Sequence, residues 1–330
     1  MPDIITKASL VLLLPVAVIG TAAPIVHASD AMSRTSSGEE QSVSPLVTPI
    51  LTFMAEVRSP ERDRKLYDAA VALFHAIEKG TEPPSRRDLM AKALYEVARG
   101  GHANAWIDYG RCLWNGWGAP ENHDEALAAY KRAADLGSDY GAYVTAYNLY
   151  WHFKNYDEAH AFALKALKGE DPNGEVRYLL GLMAYNGRGR AKDMQASLRF
   201  HQEAAERGNA DAFFELFVYA ASGVGEKEKA TYYLKEAAKR GQPRAAANLG
   251  ALYATGQMQG IDRDLAQSVM WYKRAADLGV GRAAAALGVM ALRGEGMAKD
   301  PEAAKTFLRR ADELHFDVDE FLQANQLRRP

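Results

Sequence analysis

The sequence predicts an all-α protein: an array of about seven helix-turn-helix repeats closed by capping helices. Three observations carry that expectation. The octapeptide YKRAADLG fills residues 130–137 and returns unchanged at 272–279. Related endings close on Gly101, Gly137, Gly208, Gly241 and Gly279, spaced by multiples of about 36 residues. A second beat runs in step with the first: IDYGRCLWNGWG, RYLLGLMAYNGRG, FELFVYAASGVG, NLGALYATG and ALGVMALRGEG.

Each unit reads as helix A, a glycine turn, helix B and a short polar link. The paired alanines Ala133-Ala134, Ala204-Ala205, Ala237-Ala238 and Ala275-Ala276 are strong helix formers with little bulk, so two backbones can approach there. Gly137, Gly208, Gly241 and Gly279 follow the last helical residues, where a left-handed cap costs glycine little. Gly110, Gly181, Gly250 and Gly288 fall inside helix A, where glycine costs about 1 kcal/mol relative to alanine. A penalty repeated at one slot points to a helix crossing too tight for a side chain. Tyr130, Phe200, Tyr233, Tyr272 and Phe307 are expected to fill one helix B position, and Asp193, Asp264 and Asp300 to cap the B helices.

The chain divides into four stretches. Residues 1–28 read as a secretory signal: MPDIITK, then an apolar run, then Val26 and Ala28 at the −3 and −1 places of a cleavage site. Pro15 and Pro24 interrupt that run and argue against a stable spanning helix, although Lys7 offset by Asp3 leaves an uncleaved anchor as the alternative. Residues 29–59 read as a flexible linker with a short helix in LVTPILTFMAEV; 60–315 hold the repeats, beginning with a degenerate capping unit; 316–330 form a C-terminal cap helix.

Composition narrows the function classes. The net charge of −2 comes with no basic stripe, which argues against nucleic acid as a partner. Cys112 is the single cysteine, so no intramolecular disulfide forms, and its apolar surroundings favour a buried thiol over a nucleophile. The pairs Gly116/Gly118, Gly187/Gly189 and Gly294/Gly296 lack the G-x-x-x-x-G-K-S/T pattern and recur as turns do. The eight histidines show no metal spacing; His152 and His160 flank a turn, and His201, expected to be partly buried, takes the usual tyrosine slot of helix B. No cofactor, metal or catalytic set is expected.

The beat A-x-x-x-L-G-x-x-Y-x-x-G-x-G followed by D-x-x-x-A-x-x-W-Y-x-K-A-A-x-x-G resembles the Sel-one-like repeats, relatives of the tetratricopeptide repeats. Residues Ala245 to Gly279 carry it best, through Leu249, Gly250, Tyr253, Gly256, Asp264, Trp271, Tyr272, Ala275 and Ala276; Ala283 to Ala311 follow. Two units depart from it: WHFKNYDEAHAFALKAL lacks the glycine turn, and SGVGEKEKATYYLKEAA has a shortened link. The resemblance implies a right-handed α-solenoid acting as a non-enzymatic protein-binding scaffold, often in the bacterial periplasm. Some members are envelope adaptors, and others resemble immunity proteins that sequester a secreted toxic enzyme such as a phospholipase.

In such an array the variable positions of the A helices line the concave face. The slot after the leading small residue holds Trp106, Tyr143, Arg177 and Phe213; the slot before the turn holds Trp114, Trp151 and Tyr185; Trp117 lies in the turn. Trp, Tyr and Arg are enriched at binding hot spots, so these eight residues are the candidate partner-binding set. The competing reading is that the rings fill gaps between repeats. The expected partner is another protein, an envelope component or a secreted effector enzyme. The alternatives are a membrane-anchored envelope assembly factor, and a peptidoglycan- or carbohydrate-active enzyme, for which Asp108 is only one of the two carboxylates needed.

Overall fold

Helix pairs follow one another from end to end of each of two compact units in the computed structural model, which describes residues 44–330. The expected signal and the part of the linker before residue 44 lie outside the described residues. The N-terminal unit holds 44–171 with 187–191, and the C-terminal unit holds 172–186 with 192–330. In the first, α1 (Val47–Ala55) precedes the pairs α2 (Pro60–Glu78) and α3 (Arg87–Ala98), α4 (Ala103–Asn115) and α5 (His123–Asp135), and α6 (Asp139–Trp151) and α7 (Tyr156–Ala166). In the second, α8 (Glu175–Asn186) pairs with α9 (Met194–Glu206), α10 (Ala210–Ala221) with α11 (Ala230–Lys239), α12 (Pro243–Thr255) with α13 (Leu265–Asp277), and α14 (Gly281–Arg293) with α15 (Pro301–Glu313), followed by α16 (Val318–Ala324). No helix among the described residues is long and apolar enough to cross a membrane.

Local chemistry sets the helix ends. Asp193 accepts from the Ala196 N–H at 2.9 Å, Asp264 from Ala266 and Gln267, and Asp300 from Glu302 and Ala303. Each such cap satisfies an otherwise orphaned donor, worth about 1 kcal/mol. Helices α4, α12 and α14 end on Gly116, Gly256 and Gly294 in the left-handed region, at φ 66°, 69° and 75°. Where α6 turns into α7 no glycine is present, and Lys154 takes the left-handed conformation at φ 56°. The shortened link before α11 forms a 3-10 turn at Lys227–Lys229.

The glycines inside helix A mark the tight crossing that their cost implied. A Cβ on Gly110 would fall 2.5 Å from the Tyr130 ring, on Gly250 2.6 Å from Tyr272, on Gly181 2.5 Å from His201 and on Gly288 2.6 Å from Leu308. The helix B position facing the glycine therefore holds Tyr130, His201, Tyr272 and Leu308. Phe200 and Phe307 stand one residue before it and are half-buried, which corrects their assignment to this slot. Counting back from the closing glycine gives Leu234 rather than Tyr233 in the α11 position, and Leu234 is fully buried. His201 is also fully buried, beyond the partial burial expected of it.

Helices α1 and α16 close two of the apolar faces. Ile50 of α1 is fully buried in one cluster with Leu66 and Leu73 of α2. Val318 and Leu322 of α16 are buried with Leu308, and Arg329 donates to both Asp312 and Asp319 at 2.6 Å. Arg293 donates to the Asn325 carbonyl at 2.9 Å, tying α14 to the residue that ends α16.

Candidate partner-binding site

Two of the eight candidate residues belong to the core. Trp106 and Phe213 are 7% and 6% exposed, which corrects the expectation that they line an open groove. The arginine guanidinium near the C-terminus of the paired B helix covers each ring: Arg132 stands 4.6 Å from the Trp106 centroid and Arg240 4.5 Å from that of Phe213. The first slot of helix A lies beside the last turn of helix B, where a cation is favoured by the helix dipole and again by the ring face. The other six candidates are half-buried.

Tyr143 and Trp151 are out of register with the residues they were aligned to. Gly141 is the leading small residue of α6, because a Cβ there would fall 2.8 Å from that of Ala133 and 2.9 Å from the Ala134 nitrogen. The equivalent slots are therefore Ala142 and Tyr150, both fully buried. The displaced pair instead joins Tyr140 and Tyr147 along one side of α6. Successive ring centroids from Tyr140 through Tyr143 and Tyr147 to Trp151 are 6.0, 6.2 and 6.4 Å apart. Tyr140 is 48% exposed. Sequence comparison between repeats missed Tyr140 and Tyr147, although their spacing within DYGAYVTAYNLYW places them on one helix face.

A polar chain extends this stripe onto α4 and α2. Arg111 donates to the Tyr140 hydroxyl at 3.1 Å and to Asp108 Oδ1 at 3.0 Å, while Tyr67 donates to Asp108 Oδ2 at 2.7 Å. Burial and the Asp108 carboxylate both raise the Tyr67 pKa, so its proton stays in the hydrogen bond. Asp108 thus accepts from two partners, one on each carboxylate oxygen. Trp114, at the far end of α4, stacks on His123 at 4.1 Å and meets the edge of His152 at 4.7 Å. Burial, followed by the nearby His123, lowers the His152 pKa. Trp117 packs on Phe74 at 5.8 Å with the Arg87 guanidinium 5.3 Å from its centroid.

The candidates of the C-terminal unit are held singly. Arg177 pairs with Glu203 at 3.0 Å, and Tyr185 lies between Tyr219 at 5.8 Å and the Lys192 ammonium at 5.4 Å. On α10, burial pushes the Glu215 carboxyl up to about 7, and Asp211 is raised by the same cause. Burial also pushes the Cys112 thiol up to about 12, too high for a thiolate at neutral pH. No group of three or more His, Cys, Asp or Glu among the described residues could hold a metal ion.

The Sel1 repeat model matches residues 104–138, 175–209, 222–242, 243–280 and 281–313. The chain belongs to the Sel1-repeat family. The matched spans leave out α6 and α7, where the unit without the glycine turn lies, and also α10, while the unit with the shortened link falls within the match at 222–242. A Sel1 repeat protein from Oxalobacter formigenes superimposes with a TM-score of 0.65 at 24% identity, over 85% of this chain and 84% of that one. A protective antigen of uropathogenic Escherichia coli strains, displaying the SLR fold, gives 0.51 at 19% identity over 86% and 73%. An immunity protein from Pseudomonas aeruginosa reaches 0.36 at 20% identity over 81% and 86%, a likeness too low to weigh on function. No curated protein sequence matches the chain. A Sel1-repeat array of this kind is a scaffold suited to protein–protein interaction.

Proposed function

We propose that this Sel1-repeat protein binds a partner protein on the α6 side of its N-terminal unit, as an exported periplasmic scaffold without catalytic activity. The observation that carries the reading is the unbroken stripe Tyr140, Tyr143, Tyr147 and Trp151, continued through Arg111. Large rings held by their neighbours lose little side-chain entropy on binding, and Tyr, Trp and Arg dominate hot spots. The C-terminal unit, whose later A helices carry Ala246, Ala254 and Ala284, acts as support. Within this reading the partner is either an envelope component or a toxic secreted enzyme that the protein neutralises as an immunity protein.

The test uses the tagged protein in its native cells, with captured proteins identified by mass spectrometry. A stoichiometric partner should be retained by the wild type and lost from Tyr140→Ala/Tyr143→Ala/Trp151→Ala at unchanged helicity and melting temperature. The identity of that partner separates scaffold from immunity protein. Retention by the triple variant removes α6 as the binding face. Cell fractionation, with the mass of the mature chain, checks export: cleavage after Ala28 gives a periplasmic protein, and an intact N-terminus in the membrane fraction gives an anchored assembly factor.

A further inference from the structure

His201 occupies a position where the other crossings carry a phenol or an aliphatic group: Tyr130, Leu234, Tyr272 and Leu308. Its side chain is fully buried, and neither Nδ1 nor Nε2 has a hydrogen-bond partner. Gly181 holds the ring against the α8 backbone, since a Cβ there would fall 2.5 Å from Cε1 and 2.7 Å from Nδ1. The titratable groups facing it are Tyr178 of α8 at 5.5 Å and Tyr219 of α10 at 5.8 Å between ring centroids. The nearby hydroxyls of Ser197 and Tyr219 bond to groups other than the ring, and neither ring nitrogen is within hydrogen-bond reach of them. Ser197 donates to the Gly181 carbonyl at 2.8 Å, so its 2.8 Å contact with Tyr219 is donated by the phenol. Of the charged groups on these helices, Arg177 pairs with Glu203, Asp193 caps α9, Asp211 accepts from Gln242, and Arg199 and Glu206 are exposed.

We propose that His201 is an acid-operated latch on the α8–α9 crossing: the neutral ring fits the closed crossing, and uptake of a proton requires the crossing to open. An imidazolium would bring a full charge into a site where, in the closed geometry, neither N–H reaches an acceptor, whereas an opened crossing would hydrate it. Burial alone lowers the ring pKa from 6.5 to about 3. Between those values the opened or unfolded chain binds one proton that the closed crossing excludes. Stability is therefore full above about pH 6.5 and falls as the pH drops toward 3. The ratio of open to closed forms rises about thirtyfold between pH 7.5 and pH 5. Glu215, which interacts electrostatically with Tyr219, has a raised pKa and works in the opposite direction, so His201 must be isolated by difference.

The experiment compares the full chain with His201→Leu and His201→Tyr by melting at pH 7.5 and pH 5.0, and by hydrogen exchange at both. Leu234 and Leu308 show that leucine suits this position, so His201→Leu provides the measurement even where the tyrosine variant misfolds. The wild type should lose stability on acidification by about thirtyfold more in its unfolding constant than His201→Leu does. Its α8–α9 amides, corrected for intrinsic rate, should exchange faster than the variant's at pH 5.0, while those of α12–α13 match. Parallel pH profiles for wild type and His201→Leu overturn the latch. So does a His201 ring resonance that titrates near pH 6.5 while the α8–α9 amides stay protected.

Discussion

The crossings of α12 on α13 and of α10 on α11 occupy the same place in the repeat and are filled in opposite ways. In the first, helix A gives up its side chain at Gly250 and helix B supplies the Tyr272 ring. In the second, helix A carries Phe217 at the glycine position and helix B has the smaller Leu234, and both are buried. The bulk has moved across the interface while the helices still pair. A third solution, Ala146 with Ala163 between α6 and α7, places a methyl group on each side, both fully buried. The repeat thus requires a filled crossing rather than a particular residue, as close-packed cores do generally.

The strongest test of that comparison is to transplant one solution onto the other. Phe217→Gly should cost about 4 kcal/mol, from the cavity together with glycine in a helix, measured by denaturant unfolding. Adding Leu234→Tyr should recover at least about 1 kcal/mol of that loss, and a strictly additive double variant would show that the two positions do not share one space. The reciprocal change, Gly250→Ala, gains helix propensity but drives a methyl group into Tyr272, for a net loss of about 1–2 kcal/mol. The imidazole version of the crossing is distinguished by acid: at pH 5 the penalty carried by His201 but absent from His201→Leu is about 2 kcal/mol. The smallest effect belongs to the turn without glycine. Lys154→Gly should relieve the left-handed strain at φ 56° and raise stability by less than about 1 kcal/mol, read as a small rise in melting temperature.

Much of the architecture was legible because its signals are local. The caps at Asp193, Asp264 and Asp300 and the glycines at the crossings each depend on one or two turns of chain. Register is where sequence and structure differ: Phe200, Phe307 and Tyr233 stand one residue before the crossing slot, and Tyr143 and Trp151 one residue after the slots that Ala142 and Tyr150 fill. Adjacent apolar residues on a helix differ by about 100° in direction, yet they read alike until the packed neighbour is known. The burial of Trp106 and Phe213 is hidden for a related reason: the covering Arg132 and Arg240 lie at the C-terminal end of the next helix of the pair, 26 and 27 residues further along the chain.

By itself, the sequence determined the helix-pair period, the helix ends and the tight crossing in each typical unit, since backbone hydrogen bonding and glycine geometry act over a few residues. Only the tertiary structure decided which rings face solvent, how the α6 stripe joins Arg111 and Asp108, and that His201 is sealed without a hydrogen-bond partner. Burial depends on what packs from the neighbouring helix, and the letters of one helix do not carry that information.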